Sequence, residues 1–200
     1  MTPEYLQFFG KDFTLETNRV LLRLMQPEDF EALEKLANNS EIFQWFSKDL
    51  SQPGELKAWM DDAFNARVAG TRAPLVVIDK DTQEICGCTS YGNINFPEQR
   101  IEIGWTWLGK DYIGMGVNRQ AKFALISFAF YVMHIERVEL KTDALNERAR
   151  AAALKVGMIP EGILRSHMIV QNGRRRDSMY FSTLRSEWPE RMQSFFSDMI

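Results

Sequence analysis

The chain has 200 residues, a length at which proteins usually fold around one core, so we expect a single domain that spans residues 1–200. Hydrophobic residues make up 45% of it and charged residues 26%, which excludes a chain that is disordered throughout. The formal net charge is −3. Since positive charge is not in excess, we expect neither nucleic acid nor a membrane as a partner.

The two cysteines, Cys86 and Cys88, lie two positions apart in an apolar stretch. On a strand they share one face, which suits packing better than a disulfide, so we predict reduced thiols. Neither they nor His134 and His167 have metal-site spacing, and we predict no metal. The N-terminus lacks the pattern of a secretory signal, and the longest apolar run, residues 123–133, is too short to cross a bilayer. These features predict a cytoplasmic protein.

The first half of the chain is predicted to contain a strand, two helices and three further strands. Branched apolar residues favour a strand at 19–25, and Pro27 followed by two acidic residues starts a helix. Short turn sequences separate the three later strands, which favours an antiparallel arrangement. The predicted ranges are 53–69 for the second helix and 73–79, 84–93 and 100–107 for the strands.

The last of these strands alternates between two kinds of side chain. A regular strand places Ile101, Ile103, Trp105 and Trp107 on one face and Glu102, Gly104 and Thr106 on the other. The glycine in its middle indicates a bulge or a close approach of another backbone. On this alternation, Glu102 lies on the face opposite the tryptophans.

The second half is predicted to contain a long helix, a strand, a shorter helix, a hairpin and a helical tail. Asn146 is placed to cap the shorter helix, and Gly157 to end it. The sequence Asn172-Gly173 favours a tight hairpin turn. The element order β-α-α-β-β-β-α-β-α-β-β predicts a mixed α/β sheet with one strand–helix–strand crossover. The predicted ranges are 116–133, 137–142, 146–156, 162–170, 175–184 and 187–200.

The segment Trp107–Asn118 carries spaced glycines between the end of a strand and the start of a helix. Glycine lets the backbone turn sharply, and the first turn of a helix offers unpaired N–H groups to an anion. An anion site and a plain strand–helix turn explain this pattern equally well. A nucleotide P-loop is excluded because Gly-Lys-Ser/Thr is missing, and Arg119 replaces the third glycine of a dinucleotide fingerprint.

The segment Tyr112-Ile-Gly-Met-Gly-Val-Asn resembles the acetyl-CoA-binding motif of the GNAT superfamily of N-acetyltransferases, whose pattern is Q/R-x-x-G-x-G/A. Further matches resemble its RimJ/RimL-type branch, and together they cover residues 18–190. The leading Q/R of the motif falls on Asp111, which is a departure from the pattern. The downstream matches are Asn146, Lys155, Gly157, residues 161–165, residues 176–182 and Glu187-Trp188-Pro189.

The resemblance implies a GNAT fold, with a mixed, mostly antiparallel sheet splayed at the acetyl-CoA site and flanked by helices. It implies that backbone N–H groups from Gly114 to Val117 bind the pyrophosphate of the cosubstrate. It also implies that the main chain of residues 105–107 pairs with the pantetheine arm and that Asn146 bonds to the same arm. The implied cosubstrate-binding residues are Trp105, Thr106, Trp107, Tyr112, Ile113, Gly114, Met115, Gly116, Val117, Asn118 and Asn146.

Direct acetyl transfer needs a neutral amine as nucleophile, and Glu102 is our first candidate for the base that accepts its proton. A solvated strand glutamate is the alternative interpretation. His167 is the second candidate, although a structural role suits a lone strand histidine. Many relatives protonate the leaving thiolate from a tyrosine or serine, and Ala153 and Ala149 occupy those positions here.

The acceptor is expected to be a primary amine, either a protein N-terminal α-amine or a small amine or aminoacyl compound. Because the acid is missing, a non-catalytic acyl-CoA-binding or regulatory module is the alternative function. The oligomeric state stays open, and a homodimer is one arrangement that we consider. The basic run Arg174–Arg176 is interpreted either as solvated or as a group of charges that attracts an acidic substrate or a phosphate of CoA. Phe43, Trp45 and Phe46 are interpreted either as core residues or as the lining of the acceptor pocket.

Overall fold

The computed structural model describes residues 1–200, and their strands form one eight-stranded sheet with the order β1-β2-β3-β4-β5-β6-β8-β7. The strands are β1 (Thr14–Glu16), β2 (Val20–Leu24), β3 (Arg72–Asp79), β4 (Glu84–Asn95), β5 (Arg100–Leu108), β6 (Arg137–Asp143), β7 (Ile159–Ile169) and β8 (Arg175–Leu184). The helices are α1 (Pro3–Phe8), α2 (Phe30–Ala37), α3 (Glu55–Val68), α4 (Val117–Tyr131), α5 (Glu147–Lys155) and α6 (Trp188–Phe196).

Every neighbouring pair of strands is antiparallel except β5 and β6, which are parallel. Two parallel neighbours need a long connection, and α4 supplies it as the crossover between them. The predicted mixed, mostly antiparallel sheet with flanking helices is therefore confirmed. The short elements α1 and β1 were not predicted.

Apolar side chains form a core on each face of the sheet. The larger core has 30 buried residues and joins the sheet to α1, α4, α5 and α6, with Leu125 and Phe181 fully buried. The smaller core has 11 buried residues and lies under α2 and α3, around Val76, Cys88 and Trp107. The far half of this second face, on β6 and β8, carries polar residues instead, and the candidate site begins there.

A β-bulge in β5 overturns the predicted alternation of that strand. On β4, Cys88 and Ser90 are two positions apart, whereas their partners on β5, Trp107 and Gly104, are three positions apart. The extra residue is accommodated by Trp105, whose φ is +52°. Trp107 thereby moves to the face that Glu102 occupies, so the prediction that the glutamate lies opposite the tryptophans is wrong.

Both cysteines are buried free thiols, as predicted for Cys86 and Cys88. Both lie on β4 as predicted, but the β3–β4 register shift at Cys86 puts Cys86 in the larger core and Cys88 in the smaller one, so the prediction that they share one face is wrong. No helix combines the length and the apolar character needed to span a bilayer.

Candidate functional site

The sheet opens between its two parallel strands. Strands β5 and β6 pair through three residues each, the last pair being Glu102 with Glu139. Beyond that pair the two strands separate, so the edge of β5 from Gly104 onward faces no strand on that side. Unpaired backbone groups at such an edge are available to an extended ligand.

Glu102 lies at the apex of this opening, and only 4% of its surface is exposed. Its Oε2 accepts a hydrogen bond of 2.7 Å from Asn93 Nδ2 and one of 2.8 Å from Lys141 Nζ. A side chain at Gly104 would place its Cβ 3.0 Å from Oε1, so the glycine keeps space beside the second oxygen. The carboxylate is thus held through one oxygen and has the other available to a substrate.

A buried lysine, which the sequence analysis did not identify, lies beneath the same strand. Lys122 of α4 donates a hydrogen bond of 3.3 Å from Nζ to Thr106 Oγ1. Burial lowers the pKa of Lys122 to about 7, and the charge of Glu102 opposes that shift. A signal was present in the sequence, because Lys122 lies three residues before the buried Leu125 and so on the apolar stripe of the helix.

The glycine turn before α4 has the properties of an anion site. Gly114 and Gly116 both have φ of +84°, and a Cβ at either position would meet no atom within 4 Å. The first helical hydrogen bond runs from Gln120 N–H to Gly116 C=O, so the preceding N–H groups lack helical acceptors. No side chain caps this end, and its first turn contains no acidic residue. The turn therefore fits a pyrophosphate.

The charged side chains near this turn are engaged elsewhere. Lys110 pairs with Glu41 at 3.1 Å, and Arg119 pairs with Asp198 at 2.6 Å. Asp111, the departure from the family pattern, is exposed. Anion binding at this turn consequently depends on backbone N–H groups and the helix dipole.

The side chains around the turn differ in burial. Val117 is buried in the larger core, and Tyr112 and Ile113 are packed against it. Met115 is half exposed, while Asn118 Oδ1 is buried without a hydrogen-bond partner. These placements leave Met115 free to contact a ligand above the turn.

Asn146 caps α5, accepting a hydrogen bond of 3.0 Å from the N–H of Ala149. The predicted capping role is confirmed, and it occupies only the carbonyl end of the side chain. Ala149 and Ala153 stand on the same helix, and Ala153 is buried. The side chains at these two positions consequently offer no proton donor.

His167, the second predicted base, is exposed on the edge strand β7. Its ring lies 5.9 Å from that of Tyr180, and Lys141 Nζ lies 6.0 Å from the same Tyr180 ring. The histidine thus lies at the rim of the polar face, with Tyr180 and Lys141 between it and Glu102.

Trp105 lies across the strands that lead to Glu102. Its ring occupies the space above Gly92, where a Cβ would come within 2.1 Å of it. The guanidinium of Arg72 is 4.6 Å from this ring and 4.9 Å from that of Trp59. Because Gly92 pairs directly with Glu102, the position of Trp105 is tied to the apex of the opening.

The hairpin of β7 and β8 covers the aromatic segment 43–46. Gln171 donates hydrogen bonds of 2.7 Å to Phe43 C=O and 3.0 Å to Phe46 C=O. Phe43 is fully buried against Trp107, with ring centroids 5.4 Å apart, so its core interpretation is confirmed. Phe46 and Trp45 are half buried and border the polar face.

The basic run in this hairpin is divided among three environments. Arg174 pairs with Asp143 and lies 5.6 Å from the Trp45 ring, and the exposed Arg175 donates to Ser166. Arg176 is 92% buried, since only 8% of its surface is exposed. The interpretation of the whole run as solvated is therefore wrong for Arg176.

The splayed parallel strand pair, the uncapped helix end and the buried carboxylate at the apex of the opening together form the candidate active site. A family model described as "Acetyltransferase (GNAT) domain" matches residues 19–159. The chain therefore belongs to the GNAT acetyltransferase family, and it is an acyltransferase of the kind whose fold uses acetyl-CoA.

The chain is similar to named members over most of its length. It is 29% identical over 184 residues to "Putative ribosomal N-acetyltransferase YdaF" of Bacillus subtilis, covering 88% of this chain and 97% of that protein. It is 25% identical over 161 residues to spermidine N(1)-acetyltransferase of Escherichia coli, covering 80% and 83%. A crystal structure of a GCN5-related N-acetyltransferase from Brucella melitensis superposes with a TM-score of 0.85 at 26% identity, covering 96% and 87%.

Proposed function

We propose that the protein transfers the acetyl group of acetyl-CoA to a primary amine by direct attack, with Glu102 as the base. The observation that carries the proposal is the position of Glu102, buried at the apex of the opening between β5 and β6, with Oε1 free of hydrogen bonds from the chain. Membership of the GNAT family supports the reaction class.

The residues proposed to bind acetyl-CoA act mainly through the backbone. The N–H groups from Gly114 to Val117 bind the pyrophosphate, flanked by Tyr112, Ile113, Met115 and Asn118. Residues 105–107 pair with the pantetheine arm, and the free NH₂ end of Asn146 bonds to the same arm. When bound, the cosubstrate supplies an activated acetyl group as a thioester.

Glu102 is proposed to remove a proton from the ammonium form of the acceptor. Asn93 and Lys141 hold Oε2, which aims Oε1 at the incoming amine. The nitrogen then forms the new bond to the acetyl carbon as the bond from that carbon to sulfur breaks. CoA leaves as the thiolate, and the second proton of the nitrogen passes to this thiolate or to water, since a thiol with a pKa of about 8.5 needs no dedicated acid. An α-amino group has a pKa of about 8, against about 10.4 for a lysine side chain, so an α-amine makes the smaller demand on this base. His167 would act only on an acceptor bound at the rim.

The test is a measurement of acetyl-CoA-dependent thiol release with a panel of amines. The panel contains peptides with free α-amines, small α-amines and polyamines. Release that requires an acceptor, together with N-acetylated product detected by mass spectrometry, is the expected result. If acetyl-CoA binds but no amine in the panel stimulates thiol release, the chain is the non-catalytic acyl-CoA-binding module instead.

A further inference from the structure

One arginine of the polar face beside Glu102, Arg176, forms no ion pair. Glu102 pairs with Lys141 at 2.8 Å, and the buried Asp143 pairs with Arg174. Arg176 takes part in none of the ion pairs, although it lies close enough to feel the charges of Asp143 and Glu102. Glu139 and Glu161 share Arg137. The four acids of this face thus pair with other cations, and Arg176 is left without an ion-pair partner.

Arg176 is also without hydrogen bonds at its buried end. It is 8% exposed, and its Nε is buried with no partner. Burial lowers the pKa of Arg176, which shows that desolvation outweighs the acids around it. A buried guanidinium nitrogen without an acceptor is costly, so a group that supplies one is to be expected.

A second unpartnered group lies next to it. Ser178 is fully buried, and its Oγ has no hydrogen-bond partner. Residues two apart on a strand point to the same face, so Ser178 and Arg176 project together from β8. Ser178 pairs with Asp143, which through β6 shares this face with Lys141 and Glu102. The two unsatisfied groups therefore lie on the acceptor side of the sheet.

We propose that Arg176 and Ser178 form a carboxylate-binding subsite for the acceptor, which is then an amine that also carries a carboxylate, as a free amino acid does. The assignment rests on the proposed function, in which Glu102 receives the amine. A guanidinium binds a carboxylate through charge-assisted hydrogen bonds, and a serine hydroxyl adds a further donor. A polyamine, by contrast, has no anionic group to offer this guanidinium.

A measurement of ligand binding tests this inference independently of catalytic turnover. Isothermal titration of the CoA-saturated protein at pH 7 compares L-phenylalanine and L-methionine with their carboxamides. The carboxamides keep the amine and the side chain and replace the carboxylate by a neutral amide of nearly the same size. We expect them to bind at least about tenfold more weakly, the effect of losing a charge-assisted hydrogen bond.

Two substitutions assign the effect to the residue. Arg176→Gln is expected to remove the preference for the amino acid, and Arg176→Lys to retain part of it. Arg175→Gln is the matched control, because this neighbouring arginine is exposed and bonds only to Ser166. CoA affinity is measured for each variant and is expected to be unchanged, which also shows that the variants fold.

Several outcomes would overturn the inference: equal binding of amino acids and carboxamides by the wild type, no binding of either, or a preference that survives Arg176→Gln. Weaker CoA binding by Arg176→Gln would assign the arginine to a CoA phosphate instead. Acetyl transfer is then measured with the same ligands. Arg176-dependent binding without transfer contradicts the proposed function alone, and transfer to polyamines without amino-acid binding contradicts this inference alone.

Discussion

Lys141 Nζ lies 2.8 Å from Glu102 Oε2, across the point at which β5 and β6 separate. The ion pair joins the last paired residue of one strand to a residue of the other strand beyond the pairing. It therefore fixes the width of the opening and the orientation of the carboxylate together.

Glu102→Gln removes the proposed base and keeps the size of the side chain. We expect kcat to fall about 100-fold or more, the usual contribution of a general base, while the affinity for acetyl-CoA stays the same. Steady-state kinetics across pH 6–9 provide the measurement. Glu98→Gln is the control, since Glu98 is exposed just before β5. A pH–rate profile that is unchanged in Glu102→Gln would exclude this residue as the base.

Gly116→Asp tests the anion site. The substitution adds a negative charge where the pyrophosphate is proposed to bind, so we expect CoA binding to be lost while the protein still folds. Gly54→Asp is a closely matched control, because Gly54 has φ 80° and ψ −15° at the start of α3 and Gly116 has φ 84° and ψ −11° at the start of α4. Calorimetric titration with CoA distinguishes them. If Gly116→Asp still binds CoA, the pyrophosphate does not bind at this turn.

Lys122→Met is expected to raise the free energy of unfolding at pH 7. A methionine of similar length avoids the burial of an ammonium group, a change that stabilises proteins by about 1–4 kcal/mol in comparable cases. Urea unfolding at a series of pH values measures the effect.

The pH dependence of that difference has a definite sign. The pKa of Lys122 is about 7 in the folded protein and 10.5 for the ordinary side chain, so between these values the unfolded chain holds the proton and the folded chain does not. The wild type therefore gains stability relative to Lys122→Met as pH rises from about 7 toward 10. A stability difference that is constant over this window would show that Lys122 is not buried as a neutral amine.

Gly92→Ala is expected to displace the Trp105 ring. The new Cβ would lie 2.1 Å from that ring, and overpacking of this kind costs about 1–3 kcal/mol. Urea unfolding and tryptophan fluorescence report the change. In the double variant Gly92→Ala/Trp105→Ala the clash is absent, so the cost of the alanine at position 92 should largely disappear. Equal costs in both backgrounds would rule out the contact.

The sequence predicted the main elements because their signals are local. The range 175–184 of the last strand is the same in the structure, and the helix predicted at 116–133 is observed as Val117–Tyr131. The missed elements are short: α1 has six residues and β1 has three, too few for a periodic pattern. Val132, which lies inside the predicted range 116–133, is beyond the observed helix end and is half exposed.

The site was harder to predict because its geometry depends on contacts between distant segments. The bulge that Gly104 indicated is present in β5, but its position at Trp105, whose φ is positive, depends on the register with β4 and could not be read from the sequence. Likewise the separate environments of Arg174, Arg175 and Arg176 arise from strand pairing with β6 and β7. Glu102 was identified as a candidate base from its position on the predicted strand. Its contact with Lys141 could not be predicted, because the two residues are 39 positions apart in the chain.

Three residue pairs are all that joins strands β1–β5 to strands β6, β8 and β7 within the sheet. The sheet therefore consists of two parts that meet at this short pairing, and α4 is the helix that connects them. An extended ligand that bonds to the open edge of β5, as proposed for acetyl-CoA, adds contacts beyond these three residue pairs. We therefore expect the backbone amides of β5 and β6 to exchange with solvent more slowly when acetyl-CoA is bound.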